Sequence, residues 1–135
     1  MNCKKFQFGD NLVYEFNDLS DELFIDLTNI LNSKSPSIAI EPKDFKLVCN
    51  GYIKLMMGLG KINHLDNLLN LFDLYRDTKN IIINIKGENF SLELVEEVLT
   101  KVRDFFNKDI NIIYSHSSDS AIYDVIICLP IIKEE

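Results

Sequence analysis

The chain has 135 residues, of which 47% are hydrophobic and 26% charged, a composition typical of a globular domain. Its net charge of −7 argues against binding to nucleic acid, which depends on clustered Lys and Arg. No apolar run is long enough to span a bilayer, and three widely spaced cysteines without a Cys-x-x-Cys pair form neither a disulfide framework nor a zinc knuckle. We therefore expect one cytoplasmic domain over residues 1–135 that binds neither nucleic acid nor membrane.

The chain begins with a predicted β-hairpin. Large apolar residues alternate with other residues in 5–8 and 12–16, on either side of the turn sequence Gly9-Asp10-Asn11. Four aromatic residues lie in these two segments and form a possible interface: Phe6, Phe8, Tyr14 and Phe16. They either cover apolar surface of their own chain or present aromatic anchors to another chain.

Helix signals and apolar runs alternate after the hairpin. The predicted helices cover residues 20–32, 42–50, 63–75 and 91–107, and the apolar runs cover residues 52–58, 81–85, 110–114 and 125–132. When successive residues of a strand are apolar, both of its faces are apolar. Such runs are typical of strands covered on both faces, as in parallel sheets joined by helices. The sequence predicts an α/β (α+β) protein: a small, mixed, largely parallel four-stranded sheet with packed helices, plus the N-terminal hairpin.

Caps and apolar stripes place the helices. Asp18 or Ser20 is expected to cap the first, Asn63 the third, and either Asn89 or Ser91 the last. The first helix has its predicted buried stripe at Leu23, Phe24, Leu27, Ile30 and Leu31, and the last at Leu92, Val95, Leu99, Val102 and Phe106. Residues 1–37 are interpreted as an N-terminal hairpin and helix.

The residues that could carry chemistry do not form a recognised site. Gly58-x-Gly60 lacks the third glycine of a dinucleotide fingerprint, and such a pair marks a turn more often than a phosphate site. The run Ser115-His116-Ser117-Ser118-Asp119 is interpreted as a solvated turn, because catalytic triads are assembled from distant segments. His64-x-Asp66 lacks the spacing of metal ligands on a helix face. We assign no catalytic residue, no cofactor and no metal.

Four stretches follow one another in the order found in a known family. Residues 38–45 read Ile-Ala-Ile-Glu-Pro-Lys-Asp-Phe, and residues 51–60 read Gly-Tyr-Ile-Lys-Leu-Met-Met-Gly-Leu-Gly. Residues 80–95 read Asn-Ile-Ile-Ile-Asn-Ile-Lys-Gly-Glu-Asn-Phe-Ser-Leu-Glu-Leu-Val, and the strands at 111–114 and 123–129 follow. Together they resemble the C-terminal domain of FtsZ, the bacterial tubulin relative, so residues 38–131 are interpreted as a core of that type.

The resemblance implies a small sheet with helices, which in the family is joined to a GTPase by a long central helix. Residues 20–32 would be a remnant of that helix. The family's phosphate-binding Gly-Gly-Gly-Thr-Gly-Thr-Gly signature is absent from this sequence. Residues 131–135 do not resemble the tail by which family members bind membrane tethers, so we expect no recruitment by that route.

The resemblance also implies a site. In the family, acidic residues of the loop that resembles 38–45 enter the nucleotide pocket of the next subunit and polarise the attacking water. By position Glu41 and Asp44 correspond to those acids, and Ala39 replaces an amide residue. A longer Glu side chain disfavours activation, since misplacement by about 1 Å can cost roughly a hundredfold in rate. The same residues also fit a plain helix start, with Pro42 in the first turn and acids near the positive dipole end.

Two functional hypotheses remain open. The first is a non-catalytic interaction module, with Ala39, Glu41 and Asp44 as a remnant of the catalytic loop. It would dock through the surface around residues 38–60 on FtsZ, on another tubulin-like protein, or on itself as a homo-oligomer, and so cap or regulate filaments. The second is a small-molecule-binding domain or enzyme with a pocket at the strand ends or near residues 115–120.

Overall fold

The structure, a computed structural model, describes residues 3–34, 36–88 and 91–134. Within these residues seven strands form one sheet: β1 (Cys3–Phe8), β2 (Asn11–Phe16), β3 (Pro36–Ile38), β4 (Tyr52–Gly60), β5 (Asn80–Lys86), β6 (Asn111–Ser117) and β7 (Val125–Lys133). The helices are α1 (Asp21–Asn32), α2 (Pro42–Cys49), α3 (Leu65–Asn70) and α4 (Leu92–Phe105), with 3₁₀ turns at Ile62–His64 and Asp73–Tyr75. No helix in this part of the chain has the length and apolar character needed to cross a membrane.

The predicted α/β class is confirmed, whereas the strand order and directions differ from the prediction. The order is β1-β2-β4-β7-β5-β6-β3, and β5 with β6 is the one parallel pair among the described strands. As expected for strands joined by helices, β4, β5 and β6 point the same way. However, β7 lies between β4 and β5 and runs antiparallel to both. An apolar run indicates that a strand is covered on both faces, but it does not indicate the neighbouring strand.

The predicted hairpin is present and forms one edge of the same sheet. β1 pairs with β2 from Cys3 with Phe16 to Phe8 with Asn11, and β2 continues the sheet by pairing with β4. Gly9 has φ +58, which a tight hairpin turn requires and glycine adopts without strain. The short strand β3 was not predicted; it pairs with the end of β6 and forms the other edge.

Helices cover both faces of the sheet. α1 and α2 pack on one face, with a core that includes Phe16, Leu27, Phe45, Leu55, Ile82 and Cys128. α3 and α4 pack on the other face, with a core that includes Leu68, Phe72, Ile83, Val102 and Ile127. Successive residues of a strand point to opposite faces, so Ile82 and Ile83 in β5 belong to different cores.

The helix starts agree with the predicted caps at two of three positions. Ser20 Oγ accepts from the Leu23 N–H at 3.2 Å, and Ser91 Oγ accepts from the Leu94 N–H at 3.2 Å. The alternative cap, Asn89, lies outside the described residues. Asn63 does not cap α3, because it lies within the preceding 3₁₀ turn, and the helix is much shorter than predicted.

Two predicted stripe residues are exposed. Ile30 is 45% exposed, and Thr28 takes its place in the buried face of α1, where its hydroxyl donates to the Phe24 carbonyl at 2.6 Å. Leu92 is 72% exposed in the first turn of α4. Each lies at the margin of its apolar stripe, and side-chain spacing does not determine how far the neighbouring sheet extends.

Candidate functional site

The loop that carries the predicted site residues joins the edge strand β3 to helix α2. We call residues 38–44 the docking loop. Ala39 and Glu41 are exposed, Ile38 is 45% exposed, and Asp44 is half-buried. The predicted surface around residues 38–60 is wrong in its second half, because residues 52–60 form strand β4 in the interior of the sheet.

The two acids of the docking loop have different roles in the fold. Asp44 Oδ2 accepts from the Glu41 backbone N–H at 2.9 Å, and Pro42 occupies the first turn of α2. The Glu41 carboxylate instead lies 2.9 Å from Lys43 Nζ in an exposed ion pair, and this contact raises the pKa of Lys43. The plain helix-start interpretation therefore describes Asp44 well, whereas Glu41 remains on the surface and accessible to a partner.

A side-chain clamp fixes the docking loop against α1. Asn32 Oδ1 accepts from the Ile40 N–H, and Asn32 Nδ2 donates to the Ile40 carbonyl, both at 2.8 Å. The Ile40 side chain is buried at 2% exposure. Asn32 was not predicted to be part of the site. The sequence feature that could have indicated its role is an amide residue in the last turn of a helix, shortly before a proline-containing segment that ends the helix.

A buried lysine holds the C-terminus of α1 directly behind this clamp. Lys86 Nζ donates to the Leu31 carbonyl at 2.9 Å, to Ser33 Oγ at 2.5 Å and to Ser117 Oγ at 3.0 Å. Burial lowers the pKa of Lys86, and the nearby Asp119 carboxylate partly opposes this effect. A cation at the end of α1 also complements the negative end of the helix dipole.

Asn84 lies two residues before Lys86 in β5 and extends this network. Its Nδ2 donates to the same Leu31 carbonyl at 3.0 Å and to Ser115 Oγ at 2.8 Å. We call Asn84, Lys86, Ser115 and Ser117 the polar tether. It connects the ends of β5 and β6 to the end of α1, where Asn32 clamps the docking loop.

The prediction of a solvated turn from Ser115 to Asp119 is wrong. Ser115 and Ser117 are fully buried and His116 is 4% exposed, because all three belong to β6. The alternation of the strand separates His116 from both serines, and His116 Nε2 lies 3.1 Å from the Gly87 carbonyl. Asp119 accepts from the Lys34 N–H at 3.2 Å. These directions do not bring Ser115 or Ser117 together with His116 and Asp119 as a catalytic triad.

The pair Gly58 and Gly60 has a packing role. Both lie inside β4, not in a turn. A Cβ atom at Gly58 would lie 2.5 Å from the ring of Phe72, and one at Gly60 would lie 2.7 Å from Asn11 Oδ1. Glycine at these positions therefore allows Phe72, which follows α3, and the Asn11 side chain of β2 to approach β4 closely.

Clefts at the strand ends are small. One of about 240 Å³ lies at the end of β5 beside Gly87 and Asp124, and another of about 260 Å³ lies at the opposite end between Tyr52 and Tyr75. Pockets for small molecules usually measure about 300–1,000 Å³. A wider groove of about 390 Å³ between α3 and α4 is open to solvent. Within residues 3–34, 36–88 and 91–134, no group of three or more His, Cys, Asp or Glu side chains is arranged to hold a metal ion.

The four predicted aromatic interface residues divide into two pairs. Phe6 and Phe8 are 40% and 46% exposed, and their rings stack with centroids 6.2 Å apart. Phe16 is 3% exposed in the core beneath α1, and Tyr14 packs against the same core half-buried. Only Phe6 and Phe8 are therefore substantially accessible to another chain.

Comparisons with known proteins find the fold in structures but no sequence relative. No family model matches the chain, and no curated protein matches it. The structure of an FtsZ W319Y mutant from M. jannaschii superimposes with a TM-score of 0.58 at 21% identity, covering 79% of this chain and 38% of that one. An empty FtsZ dimer from M. jannaschii gives a TM-score of 0.51 at 21% identity, covering 73% of this chain and 32% of that one.

These similarities confirm the predicted resemblance at the level of fold. The chain spans less than two-fifths of the FtsZ chains that it matches, so it corresponds to one part of them. Together with the order of the sequence motifs, the match is consistent with the FtsZ/tubulin-like C-terminal domain. The chain has an FtsZ-like fold.

Proposed function

We propose that this chain is a non-catalytic module that docks through its docking loop on the end of a filament of FtsZ or another tubulin-like protein, and that it caps that end. The single observation that carries the proposal is the FtsZ-like fold. The sequence of residues 38–45, which resembles the family's interfacial acidic loop, supports the choice of the docking loop as the contact surface. One of the matched FtsZ structures is itself a dimer.

The docking loop has properties that suit a preformed contact surface. Ala39, Glu41 and Ile38 are exposed, and Leu47 follows on α2 at 63% exposure. The clamp from Asn32 and the cap from Asp44 hold the backbone in place. A surface that is ordered before binding loses less conformational entropy when it binds.

Capping follows from the symmetry of filaments. A head-to-tail filament grows only when each subunit offers two complementary surfaces. The sequence lacks the phosphate-binding signature that forms the other surface in the family. A subunit that offers the docking loop alone would occupy the terminal nucleotide face and stop growth there.

Docking of this kind does not require water activation by the chain. The Asp44 carboxylate is engaged with the Glu41 N–H, so its geometry serves the start of α2. Glu41 and the apolar neighbours Ile38 and Leu47 would provide the contact. We accordingly expect the chain alone neither to bind nor to hydrolyse GTP, and calorimetry showing micromolar affinity for GTP would contradict this expectation.

The test is light scattering of FtsZ from the organism that encodes the chain, polymerised with GTP while the chain is titrated in. We expect lower polymer mass at substoichiometric amounts and co-sedimentation with the polymer. Glu41→Lys should abolish the effect. Glu93→Lys is the matched control, because it makes the same charge change in the first turn of α4, on the other side of the sheet. Unchanged assembly at equimolar chain without co-sedimentation would exclude capping.

A further inference from the structure

The two edges of the sheet differ in their capacity to accept another strand. β3 has three residues and begins with a proline, two features that blunt an edge. β1 has six residues, and β2 is its one neighbour among the described strands. An edge strand of this length presents a row of backbone N–H and C=O groups to solvent.

The hairpin turn determines which backbone groups of β1 point outward. A β-turn over Phe8, Gly9, Asp10 and Asn11 brings the first carbonyl to the last N–H, and Phe8 is paired with Asn11. Hydrogen-bonded and non-hydrogen-bonded pairs alternate along an antiparallel ladder. The backbone groups of Phe6 and Phe8 therefore face β2, whereas those of Lys5 and Gln7 face outward.

The side chains restrict how two β1 strands could pair. Around a two-fold axis, outward-facing residues must pair with outward-facing residues, so the axis passes through Lys5, Phe6 or Gln7. An axis at Lys5 opposes two like charges, which is unfavourable. An axis at Gln7 pairs Lys5 with the turn and uses less of the strand.

An axis at Phe6 avoids both problems and gives each residue from 4 to 8 a partner within the strand. Phe6 then lies opposite Phe6 of the second copy, Lys4 lies opposite Phe8, and Lys5 exchanges backbone hydrogen bonds with Gln7. Phe6 and Phe8 are on one face of β1, already stacked and partly exposed, so the two Phe6 rings would meet at the axis with one Phe8 ring stacked on each of them. β1 also carries two lysines and no acid in a chain of net charge −7, so the strand adds no acid-to-acid repulsion to the contact between two copies.

We infer that β1 pairs with β1 of a second copy, antiparallel and centred on Phe6, so that one sheet runs through a symmetric dimer. This contact uses an edge remote from the docking loop and is independent of the proposed function. We expect this strand-to-strand contact to be smaller than a standard interface of roughly 1,600 Å², in the size class that includes weak and transient encounters, so dimerisation should be reversible.

Cysteine cross-linking in a Cys3→Ser background tests the register directly. Residues in a non-hydrogen-bonded pair have Cα atoms about 4.5 Å apart, within the range that a disulfide spans. Phe6→Cys should therefore form a covalent dimer rapidly under mild oxidation. Phe8→Cys is the matched control: it is similarly exposed, but it lies four residues from its symmetry mate, about 13 Å along the strand.

Sedimentation velocity over micromolar to millimolar concentrations provides the second measurement. We expect reversible dimerisation that Lys5→Pro abolishes, since proline removes an outward N–H, and that Glu41→Lys leaves unchanged. The urea midpoint of Lys5→Pro reports whether that variant folds, and the cross-linking result does not depend on it. Equal cross-linking at positions 6 and 8 would overturn the register. A monomer at every concentration would overturn the dimer. In that case the remaining partner for the β1 edge is an extended peptide of another protein.

Discussion

The two faces of the sheet are built from the same strands, but β5 contributes different kinds of residues to them. On the α3/α4 face, β5 contributes Ile81, Ile83 and Ile85, all at most 2% exposed. On the α1/α2 face, the same strand contributes Ile82, then Asn84 and Lys86. Along β5 the first face is apolar throughout, whereas the second begins with an apolar residue and ends in the polar tether.

This difference separates stability from positioning. An apolar contact is non-directional, so the α3/α4 core stabilises the fold without specifying one arrangement of a neighbouring loop. Hydrogen bonds are directional, and the polar tether uses two of them to fix the Leu31 carbonyl in the last turn of α1. The next residue, Asn32, clamps the docking loop. The face that contains the polar tether is thus the one that positions the candidate site.

The largest expected effect is loss of packing on the apolar face. Ile83 is fully buried in the middle of β5, so Ile83→Ala should reduce the free energy of unfolding by about 2–5 kcal/mol. Glu96→Ala, on the exposed side of α4, should cost about 0.5 kcal/mol or less. Urea denaturation measures both, and equal losses would contradict the assignment of buried and exposed faces.

The next effect concerns the polar tether. Lys86→Met should cost about 1–3 kcal/mol, because the hydroxyl groups of Ser33 and Ser117 lose their donor. Lys101→Met on the exposed side of α4 is the control and should be nearly neutral. A neutral Lys86→Met would show that the tether adds no stability.

The stability difference between wild type and Lys86→Met should depend on pH. Burial lowers the pKa of Lys86 below its ordinary value of 10.5, so the folded chain releases this proton at a lower pH than the unfolded chain does. The unfolded state therefore binds more protons in the window between the lowered pKa and 10.5. Wild-type stability should rise with pH across that window relative to Lys86→Met, and parallel pH profiles would contradict the lowered pKa.

A smaller effect is expected at the docking loop. Asp44→Ala removes the acceptor for the Glu41 N–H and should cost about 0.5–2 kcal/mol, while Asp44→Asn should retain most of the stability. Asp66→Ala, in the first turn of α3, is a control that removes an exposed acid near a helix start. A loss at Asp66 equal to that at Asp44 would show that the dipole alone, and not the cap, stabilises the start of α2.

Much of the fold could be predicted because its signals are local. The hairpin, the capped starts of α1 and α4 and the apolar strands follow from turn residues, caps and periodicity over a few neighbours. The position of β7 between β4 and β5 could not be predicted, because it depends on pairing between distant segments. The same reason explains Ile30 and Leu92, whose exposure depends on how far the sheet extends.

The site was predictable only in part. The exposed position of Glu41 and the helix-start role of Asp44 were predictable from the proline and the acids at the start of α2, whereas the surface-loop position expected for Asp44 was wrong, because it lies half-buried in α2. The polar tether was not predicted, since Ser115 and Ser117 appear in sequence as part of a polar loop. Their burial becomes visible only when β6 lies beside β5 and places each serine next to Asn84 or Lys86.

Thiol reactivity is the smallest expected effect and compares the two faces directly. All three cysteines lie on the α1/α2 side: Cys49 and Cys128 are buried in that core, and Cys3 is half-exposed beside it. Burial raises the pKa of Cys49 to about 12 and also raises the pKa of Cys128. Because the thiolate is the reactive form, Cys3 should react rapidly with a thiol reagent and the other two slowly. Rapid reaction of all three would refute the burial of Cys49 and Cys128.

Repeating this labelling in the Lys86→Met variant shows whether the polar tether holds one face in particular. A reporter on the other face is Val98→Cys, since Val98 is 2% exposed in α4. If the tether anchors α1, its loss permits local opening of the α1/α2 side below the energy of global unfolding. Cys49 and Cys128 should then react faster by a larger factor than the cysteine at position 98. An equal acceleration at all three positions would mean that Lys86 stabilises the whole fold, and that the positioning of the docking loop does not depend on the tether.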